Sequence, residues 1–563
     1  MTAESQVYAR GEDRQVRLDG AAKEALTRTH ARLTAVAGIF ALGFLVLAGR
    51  VVQLTLVHDL VRPAAPVLAS ESPRPDIVDR NGVLLATTLH AVSLFADSRA
   101  VPDPRATALE LAAILPELDP VVTEARLASG QSFVWIRRKL TPRQQDAVNR
   151  LGIPGLNFQS EPRRLYPQGR EAAHVLGYAG IDNEGLAGIE KSIDGGAPVK
   201  RRDSGVATVG LSIDIRIQHA VREELARSVG EFSAIGAAAV VLDVKTGETL
   251  ALVSLPDFDP NDLSDSLPDQ RFNRAALGVY EMGSTFKAFT LANALELGTV
   301  DLDSGYDASE PLHVARFLIR DDHAQNRWLS VPEIFIYSSN IGAAKMALDI
   351  GTERQRVFLG RLGLLQRAEI EIPEIGMPLV PEPWREINTM TIAFGHGLAV
   401  SPVQLAVGFS SLVNGGVAVV PTLFKRIPGE AVPGVRVISE SVSQDMRRLL
   451  HRAVEEGTGK QAAAPGYLVG GKTGTAEKAN AGGYNGRALI SSFVGIFPIT
   501  DPQFVVLVML DEPKGNESTF NYAAAGWNAA PTVGRIIARI GPMLGVAPVD
   551  EADRSMLAAA WKP

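Results

Sequence analysis

One serine and one lysine in this chain have the spacing of a nucleophile and its base. Ser284 and Lys287 form the only S-x-x-K sequence, and the apolar stretch at residues 286–297 ends at Gly298. This pattern predicts a helix with a glycine cap and with Ser284 at its N-terminus. A three-residue offset places both side chains on one face of the helix, so the lysine amine can reach the serine hydroxyl. The expected chemistry is attack by Ser284 on a carbonyl group to form an acyl-enzyme.

A second lysine would help Lys287 to act as the base. The pKa of a free lysine is about 10.4, and burial or a neighbouring cation lowers it toward neutrality. The sequence Lys472-Thr473-Gly474-Thr475 follows an apolar run at residues 467–469, which indicates an edge strand. An extended peptide can pair with such an edge, and Gly474 would leave room for it. We expect Lys472 to bind a carboxylate and to keep Lys287 neutral, and we expect the strand to bind substrate through Thr473, Gly474 and Thr475.

The third element is Ser338-Ser339-Asn340, the only S-x-N sequence in the chain. In this interpretation Ser338 relays a proton, and Asn340 forms a hydrogen bond with the amide of the substrate. Two backbone N–H groups, those of Ser284 and Thr475, would hold the negative charge that develops on the carbonyl oxygen. The predicted catalytic residues are Ser284, Lys287, Ser338, Asn340 and Lys472.

The order of the three motifs along the chain is more informative than any one motif. Each motif alone is weak, because Lys245-Thr246-Gly247 is also K-T-G but precedes Ser284 and lies between two strand-like runs. A hairpin turn is expected there. S-x-x-K, followed by S-x-N and then by K-T-G-T, is the order found in penicillin-recognising serine enzymes. The order therefore predicts the reaction class.

The composition excludes several other classes of function. The chain has 563 residues and no cysteine, which excludes disulfides, thiolate metal sites and cysteine catalysis. Its net charge of -7 comes without a long basic block, so nucleic acid is not an expected partner. The 9 histidines are scattered without H-E-x-x-H spacing. We expect neither a metal site nor a cofactor.

An uncharged stretch near the N-terminus predicts a membrane anchor. Residues 33–49 carry no charge, and the uncharged residues 51–57 after Arg50 extend them to the length of a bilayer span. A buried helix and a cleaved signal peptide are the alternatives, but the long leader and the long apolar stretch favour an uncleaved anchor at 33–57. The balance of basic residues leans toward a cytoplasmic tail at 1–32.

Downstream of the anchor, the chain has the pattern of a multidomain α+β protein. Residues 62–75 are rich in proline and predict an extended stalk. Short strands, turns and helical stretches then lead to a glycine-rich, charged run, which places a domain boundary near residue 205. Beyond it, strand-like runs at 237–244, 249–255, 493–498 and 504–510 flank long helical patterns and predict a sheet with helices packed on it. The expected parts are 58–205, 206–548 and a tail at 549–563.

These residues resemble a class B penicillin-binding protein of the division-specific, FtsI-like type, over most of residues 74–539. Residues 280–287 (YEMGSTFK) match the family around the nucleophile, except that Met282 replaces a common proline. Residues 394–397 (FGHG) resemble a family loop in which we expect His396 to be a turn residue. Three segments resemble the pedestal motifs of the family, with Pro75 in place of a usual glycine: 74–86, 163–167 and 185–190. We expect Arg80 and Glu190 in these motifs to form structural ion pairs.

The resemblance implies a single-pass protein of the cytoplasmic membrane that cross-links peptidoglycan in the periplasm during septal cell-wall synthesis. Ser284 would be acylated by a stem peptide ending in D-Ala-D-Ala, D-alanine would leave, and an amine on a neighbouring stem would take the acyl group. β-Lactams would trap Ser284 because they mimic that donor. The implied partners are a membrane glycosyltransferase of the FtsW type and other division proteins, which would bind a dimerisation-type pedestal at 58–205.

The resemblance also implies a fold. It is a mixed pedestal domain followed by a transpeptidase domain of the penicillin-binding and serine β-lactamase type. That second domain would have an antiparallel sheet with helices on both faces and a helical subdomain. Residues after Lys514 depart from the family pattern, so the sequence does not predict which residues form the third wall of the cleft.

Several other interpretations stay open from the sequence. Residues 466–473 (GYLVGGKT) fit the nucleotide-binding pattern G-x-x-x-x-G-K-T, although the glycine-rich residues 474–486 offer no helix for a phosphate loop. An elongation-type class B transpeptidase and a non-turnover penicillin sensor or scaffold would use the same acylation residues. A hydrolytic relative, such as a carboxypeptidase or β-lactamase, would differ in using water to release the acyl group.

Overall fold

The computed structural model of the protein describes residues 32, 34–50, 74–201, 207–314, 317–480 and 483–550. The chain divides into two compact units, Met1–Pro73 and Arg74–Pro563. In the first unit, residues 34–50 form a helix with exposed apolar side chains such as Ile39 and Phe44. No helix in the described part of the chain has both the length and the apolarity of a membrane span. The other residues of the predicted anchor at 33–57, most of the 1–32 tail, the stalk to residue 73 and tail residues 551–563 lie outside the described residues.

A six-stranded mixed sheet organises the first part of the second unit. Its strands are β1 (Asp76–Val78), β2 (Leu84–Ala96), β3 (Val134–Leu140), β4 (Leu156–Leu165), β5 (Lys200–Arg201) and β6 (Ala207–Gly210). The order is β3-β2-β1-β6-β5, and β4 also pairs with β2. Only β1 and β6 run parallel to each other among these described pairs. The predicted boundary near residue 205 falls between β5 and β6, which pair with each other.

Three helices pack on this sheet: α1 (Pro104–Ile114), α2 (Pro120–Leu127) and α3 (Pro142–Arg150). Each begins with proline after a capping residue whose side chain accepts hydrogen bonds from the first turn, namely Asp103, Asp119 and Thr141. Leu111 of α1 and Leu127 of α2 are fully buried with Leu94 of β2 in one cluster. This cluster forms a small core that belongs to the pedestal alone.

A buried carboxylate joins the three segments that resemble pedestal motifs. Two short helices follow β4, α4 (Ala173–Leu176) and α5 (Gly188–Asp194), and Glu190 of α5 is 0% exposed. Its Oε2 accepts a hydrogen bond from Arg74 Nε at 2.6 Å, and its Oε1 accepts one from Arg164 Nε at 2.6 Å. Arg80 pairs with Glu248 at 3.4 Å. The expected structural ion pairs are confirmed, and they give the buried carboxylate of Glu190 a guanidinium partner on each oxygen.

The remaining strands are β7 (Gly236–Asp243), β8 (Thr249–Leu255), β9 (Tyr280–Glu281), β10 (Gly305–Asp307), β11 (Leu312–Val314), β12 (Phe317–Ile319), β13 (Trp328–Ser330), β14 (Ala399–Val400), β15 (Val417–Val419), β16 (Gly434–Arg436), β17 (Gly470–Asn480), β18 (Gly483–Phe497) and β19 (Phe504–Asp511). Five of them form an antiparallel sheet in the order β17-β18-β19-β7-β8. Alternate residues of β7 enter different cores, since Val240 belongs to one buried cluster and Val241 to the other. The sheet is therefore covered on both faces.

Helices supply those two covers. The remaining helices are α6 (Ile215–Glu231), α7 (Pro268–Arg271), α8 (Lys287–Leu297), α9 (Val331–Ile336), α10 (Asn340–Ile350), α11 (Thr352–Arg361), α12 (Glu386–Ile392), α13 (Pro402–Val413), α14 (Glu440–Glu455) and α15 (Ala529–Ile540). α6 and α15 pack on one face of the sheet, and α13 packs on the other. α8 to α12 pack together beside the sheet as the helical subdomain. The expected sheet, its helical covers and the subdomain all agree with this arrangement.

Candidate active site

Ser284 lies in a turn that is pressed against the edge of the main sheet. Gly283–Phe286 form one turn of 3-10 helix, and α8 follows and ends at the left-handed Gly298, with φ 65°. The predicted helix and its glycine cap are confirmed. Gly283 has a φ of 53°, and a Cβ atom there would lie 2.4 Å from the carbonyl oxygen of Thr475. Glycine is therefore required for this turn to lie so close to β17.

The amine of Lys287 is surrounded by oxygen atoms. Its Nζ lies 2.8 Å from Ser284 Oγ and 2.6 Å from Asn340 Oδ1. It also lies 2.8 Å from the carbonyl oxygen and 3.0 Å from the hydroxyl of Ser338. An ammonium group has only three donors for these four oxygens, whereas a neutral amine can also accept a hydrogen bond from a hydroxyl. The geometry therefore suits proton transfer from Ser284 to a neutral Lys287.

Two buried amines occupy this site. The side chains of Lys287 and Lys472 are 2% and 0% exposed. Burial lowers the pKa of Lys287 to about 7, although the carboxylates of Asp321 and Asp322 act in the opposite direction. Burial, and then repulsion from Lys287, lower the pKa of Lys472 well below its ordinary value. A charge on Lys287 thus disfavours a charge on Lys472, and by the same repulsion a charged Lys472 would favour a neutral Lys287.

Ser338 connects the two amines. Its hydroxyl lies 3.0 Å from Lys287 Nζ and 3.1 Å from Lys472 Nζ. Its φ of 62° is in the left-handed region, which is uncommon for a residue other than glycine and often marks a functional position. In this conformation the carbonyl oxygen also contacts Lys287. Ser338 is therefore placed where a proton relay would have to lie.

Asn340 begins α10, and both ends of its amide have protein partners. Its Oδ1 contacts Lys287, and its Nδ2 donates to the carbonyl oxygen of Arg320 at 2.8 Å. Asp321 holds the same segment, because its carboxylate accepts hydrogen bonds from Ser339 Oγ at 2.7 Å and from a backbone N–H of α10 at 2.9 Å. Sequence reasoning missed Arg320 and Asp321, since they precede the S-x-N sequence by a whole loop and match no motif. The expected contact between Asn340 and a substrate amide stays a prediction.

The K-T-G-T sequence lies on β17, which is an edge strand of the main sheet, as predicted. The hydroxyls of Thr473 and Thr458 are 2.6 Å apart. A Cβ atom on Gly474 would lie 2.3 Å from the carbonyl oxygen of Met282. This glycine makes room for the turn that carries Ser284, and not for a peptide as the sequence pattern predicted. Thr458 was also missed, because only the folded chain brings it beside Thr473.

A cleft of about 520 Å³ opens beside Ser284, a size within the range of about 300–1,000 Å³ for ligand sites. It is lined by Ser284, Asp322, His323, Tyr337, Ser338, Gly457, Thr458, Lys460, Gln461, Thr473, Thr475, Ala524, Gly526 and Trp527. The segment after β19 forms the third wall of the cleft, which the sequence did not predict. It is held to β17 because Ala525 donates its backbone N–H to Thr475 Oγ1 at 3.1 Å.

Other sequence features lie outside this constellation. Lys245-Thr246-Gly247 is the turn between β7 and β8, so the expected hairpin is confirmed. The nucleotide-binding interpretation of residues 466–473 is wrong. A phosphate loop must lead into a helix, whereas residues 470–473 are part of β17, which continues as a strand to Asn480. His396 lies after α12, and its Nδ1 is 3.0 Å from Glu281 Oε2.

Comparison with known families and proteins identifies the chain's relatives. Residues 237–538 match the penicillin binding protein transpeptidase domain, and residues 69–194 match the penicillin-binding protein dimerisation domain. A probable peptidoglycan D,D-transpeptidase FtsI of Caulobacter vibrioides is 41% identical over 486 residues, which are 84% of this chain and 82% of the relative. The peptidoglycan D,D-transpeptidase FtsI of Escherichia coli is 29% identical over 553 residues, or 92% of each chain.

Solved structures agree with these matches. The crystal structure of penicillin binding protein 3 from Mycobacterium tuberculosis, complexed with aztreonam, has a TM-score of 0.66 and 25% identity, and the match covers 85% of this chain and 98% of that one. The transpeptidase domain of penicillin-binding protein 3 from Burkholderia pseudomallei has a TM-score of 0.54 and 33% identity, covering 60% of this chain and 97% of that one. The chain belongs to the penicillin-binding proteins that join a dimerisation domain to a transpeptidase domain, and within them to the class B, FtsI-like type.

Proposed function

We propose that the protein is a peptidoglycan D,D-transpeptidase in which Ser284 is the nucleophile and Lys287 is the general base. The observation that carries this proposal is the 2.8 Å contact between Lys287 Nζ and Ser284 Oγ, at a buried amine whose pKa is about 7. A base with a pKa near the working pH is the most effective one. The substrate class is supported by the membership of the family and by relatives that are named peptidoglycan D,D-transpeptidases.

Acylation begins when Lys287 takes the proton of Ser284 and Oγ attacks the carbonyl carbon between the two terminal D-alanines of a stem peptide. The backbone N–H groups of Ser284 and Thr475 hold the oxyanion of the tetrahedral intermediate. The C–N bond then breaks, and the proton returns through Ser338 to the leaving D-alanine amine. The product is an ester between the stem peptide and Ser284.

The donor peptide lies along the free edge of β17, where its backbone can pair with the strand. Lys472, Thr473 and Thr475 bind its terminal carboxylate, and Gly474 keeps the nucleophile turn against the strand. Asn340 hydrogen-bonds the amide of the donor when its bond to Lys287 loosens on substrate binding. A β-lactam carries a carboxylate and a reactive amide in the same relation, so it acylates Ser284 and stays attached.

We propose the cellular setting by analogy with the same family. Residues 33–57 anchor the chain in the cytoplasmic membrane, with residues 1–32 inside the cell and the catalytic domain in the periplasm. Residues 58–205 form the pedestal, 206–548 form the transpeptidase domain and 549–563 form a tail. The enzyme acts in septal wall synthesis with an FtsW-type membrane glycosyltransferase and other division proteins that bind the pedestal. The FtsI names of its relatives support the septal role.

Covalent labelling tests the nucleophile. The full-length protein in detergent is treated with a fluorescent penicillin, beside a Ser284→Ala variant with the same thermal unfolding profile. Label on the parent and none on the variant is the expected result. A folded parent that takes no label would refute the catalytic assignments.

A second assay tests the fate of the acyl group. A D-Ala-D-Ala donor is supplied with an amine acceptor, and the cross-linked product is measured against the hydrolysed product. A transpeptidase forms the cross-linked product. A protein that acylates but never transfers would instead be a sensor or scaffold, and one that transfers only to water would be a carboxypeptidase.

A further inference from the structure

One acidic side chain lines the cleft beside Ser284. Among the described residues that line it, the side chains with a full charge are Asp322 and Lys460. Asp322 lies in the loop after β12 and is exposed to solvent at the cleft. Lys460 comes from a different segment, the chain after α14. The two charged side chains of the cleft thus come from two separate segments of the chain.

The position of Asp322 is set by the catalytic motif itself. The carbonyl oxygen of Arg320 accepts a hydrogen bond from Asn340 Nδ2 at 2.8 Å. The carboxylate of Asp321 accepts one from Ser339 Oγ at 2.7 Å. Both residues that precede Asp322 are therefore held to the S-x-N sequence. Both carboxylate oxygens of Asp321 are engaged within the protein, because the second accepts a backbone N–H of α10.

Asp322 also lies close enough to the reacting groups to act on them electrostatically. Its carboxylate stabilises the charged form of the Lys287 amine, in opposition to burial. A second cation that enters the cleft near Lys287 would be stabilised by the same carboxylate. Such a cation must exist in the second half of the reaction, because the primary amine of an acceptor is largely an ammonium ion near neutral pH.

We propose that Asp322 is the acceptor-binding residue, which draws the ammonium group of the incoming stem peptide to the side of the cleft formed by the loop after β12. This inference rests on the proposed function. The acceptor amine there releases its extra proton to solvent, and its nitrogen attacks the acyl carbon. A C–N bond forms, and the bond between the acyl carbon and Ser284 Oγ breaks. One of the two remaining amine protons passes through Lys287 to Ser284 Oγ, and the other stays on the nitrogen of the new amide. Donor and acceptor thus enter on different sides, the donor along β17 and the acceptor past Asp322.

The test measures how the acyl-enzyme divides between amine and water. Full-length protein in detergent is given a D-Ala-D-Ala donor, and the acceptor is a synthetic stem peptide with one free side-chain amine. The acceptor concentration that diverts half of the acyl-enzyme to cross-linked product is compared between variants, so differences in acylation rate cancel. For Asp322→Asn we expect that concentration to rise about threefold, the size of one exposed charge pair. For Asp322→Lys we expect about a tenfold rise, because like charges repel.

Two controls separate acceptor binding from other effects. Asp182→Asn changes an exposed aspartate in a turn of the pedestal and should leave the division unchanged. Hydroxylamine is a largely neutral acceptor at pH 7. The concentration of hydroxylamine that diverts half of the acyl-enzyme should therefore be the same for the parent and for Asp322→Asn. An equal change for both acceptors would mean that Asp322 acts only through Lys287, and it would overturn the proposal.

Two further outcomes distinguish this inference from the proposed function. A parent that transfers to the stem peptide, together with Asp322 variants that transfer equally well, would refute the acceptor-binding role alone. A parent that takes penicillin label but transfers to neither acceptor would refute the transpeptidase function, and this inference with it.

Discussion

The hydroxyl of Ser338 lies 3.1 Å from the amine of Lys472, and the same hydroxyl contacts the amine of Lys287. A hydroxyl can donate one hydrogen bond and accept others, so it can pass a proton between two buried amines. Lys472 is fully buried on β17, with its Nζ 5.7 Å from the centre of the Phe335 ring. Ser338 can therefore pass a proton from Lys287 to a leaving amine.

Removal of this hydroxyl is the first prediction. Ser338→Gly should reduce the rate of penicillin acylation by about 10²–10⁴, the usual contribution of a proton-transfer group. Glycine is the suitable replacement because the φ of Ser338 is 62° and glycine adopts that conformation without strain. Acylation is followed with a fluorescent penicillin at several concentrations. A Ser338→Gly variant that acylates at the parental rate would show that the hydroxyl relays no proton.

The acylation rate should depend on pH through the base. Because burial lowers the pKa of Lys287 to about 7, the neutral amine predominates above that pH and the ammonium form below it. The rate should therefore rise about tenfold per pH unit on the acidic side and reach a plateau above about pH 7. Single-turnover acylation, measured from about pH 5 to about pH 9 at intervals of about one pH unit, checks this prediction. A flat profile across this range would argue against Lys287 as the base.

The same lysine makes a prediction about stability, with a sign that can be worked out. An unfolded lysine has a pKa of about 10.4, so between about pH 7 and pH 10.4 the unfolded chain binds a proton that the folded chain lacks. The contribution of Lys287 to stability should therefore rise with pH across this window and be least favourable below it. Lys287→Met removes that contribution and should flatten the pH dependence of the thermal midpoint. It should also abolish acylation while leaving a folded protein.

The sequence predicted the catalytic groups better than their surroundings. Ser284, Lys287, Ser338 and Lys472 lie in short motifs with a fixed order, and the structure brings their side chains together. Asp321 and Thr458 could not be found in this way. Each reaches the site from a loop distant in sequence and carries no local pattern, so its role depends on tertiary packing.

The same limit applies to the fold. The runs predicted at 249–255 and 504–510 agree with β8 and β19, because both strands are buried on two faces and are largely apolar. β18 begins at Gly483, ten residues before the predicted run at 493. Its first residues are polar and rich in glycine, and their pairing with β17 supplies the strand structure that local propensity does not.

Gly474 gives a prediction that separates the two explanations of its role. A Cβ atom at this position would lie 2.3 Å from the carbonyl oxygen of Met282, so Gly474→Ala should displace the turn that carries Ser284. We expect acylation to slow by about 10², the cost of a displacement of about 1 Å at a reacting group. Gly230→Ala is the control, since Gly230 lies within α6 with nothing inside 4 Å. That change should leave acylation unaltered and raise stability by about 0.5–1 kcal/mol. Parental acylation in Gly474→Ala would mean that the strand and turn adjust freely.

Glu190 offers the clearest prediction for the pedestal. Its carboxylate is 0% exposed and lies between Arg74 and Arg164, with one oxygen bonded to each guanidinium group at 2.6 Å. Glu190→Gln keeps the shape but removes the carboxylate that pairs with Arg74 and Arg164, although Arg74 keeps its contact with Asp194 at 2.8 Å. Breaking a buried pair costs about 3–5 kcal/mol. The thermal midpoint of the protein should fall by several degrees. Asp146→Asn is the matched control, because Asp146 and Arg150 form an exposed pair on α3 that contributes about 0.3–0.5 kcal/mol. Arg164 also donates hydrogen bonds to the backbone carbonyl oxygens of Arg74 and Pro75. Equal midpoints for the two variants would therefore show that these contacts and the apolar packing hold the three segments together without the charge of Glu190.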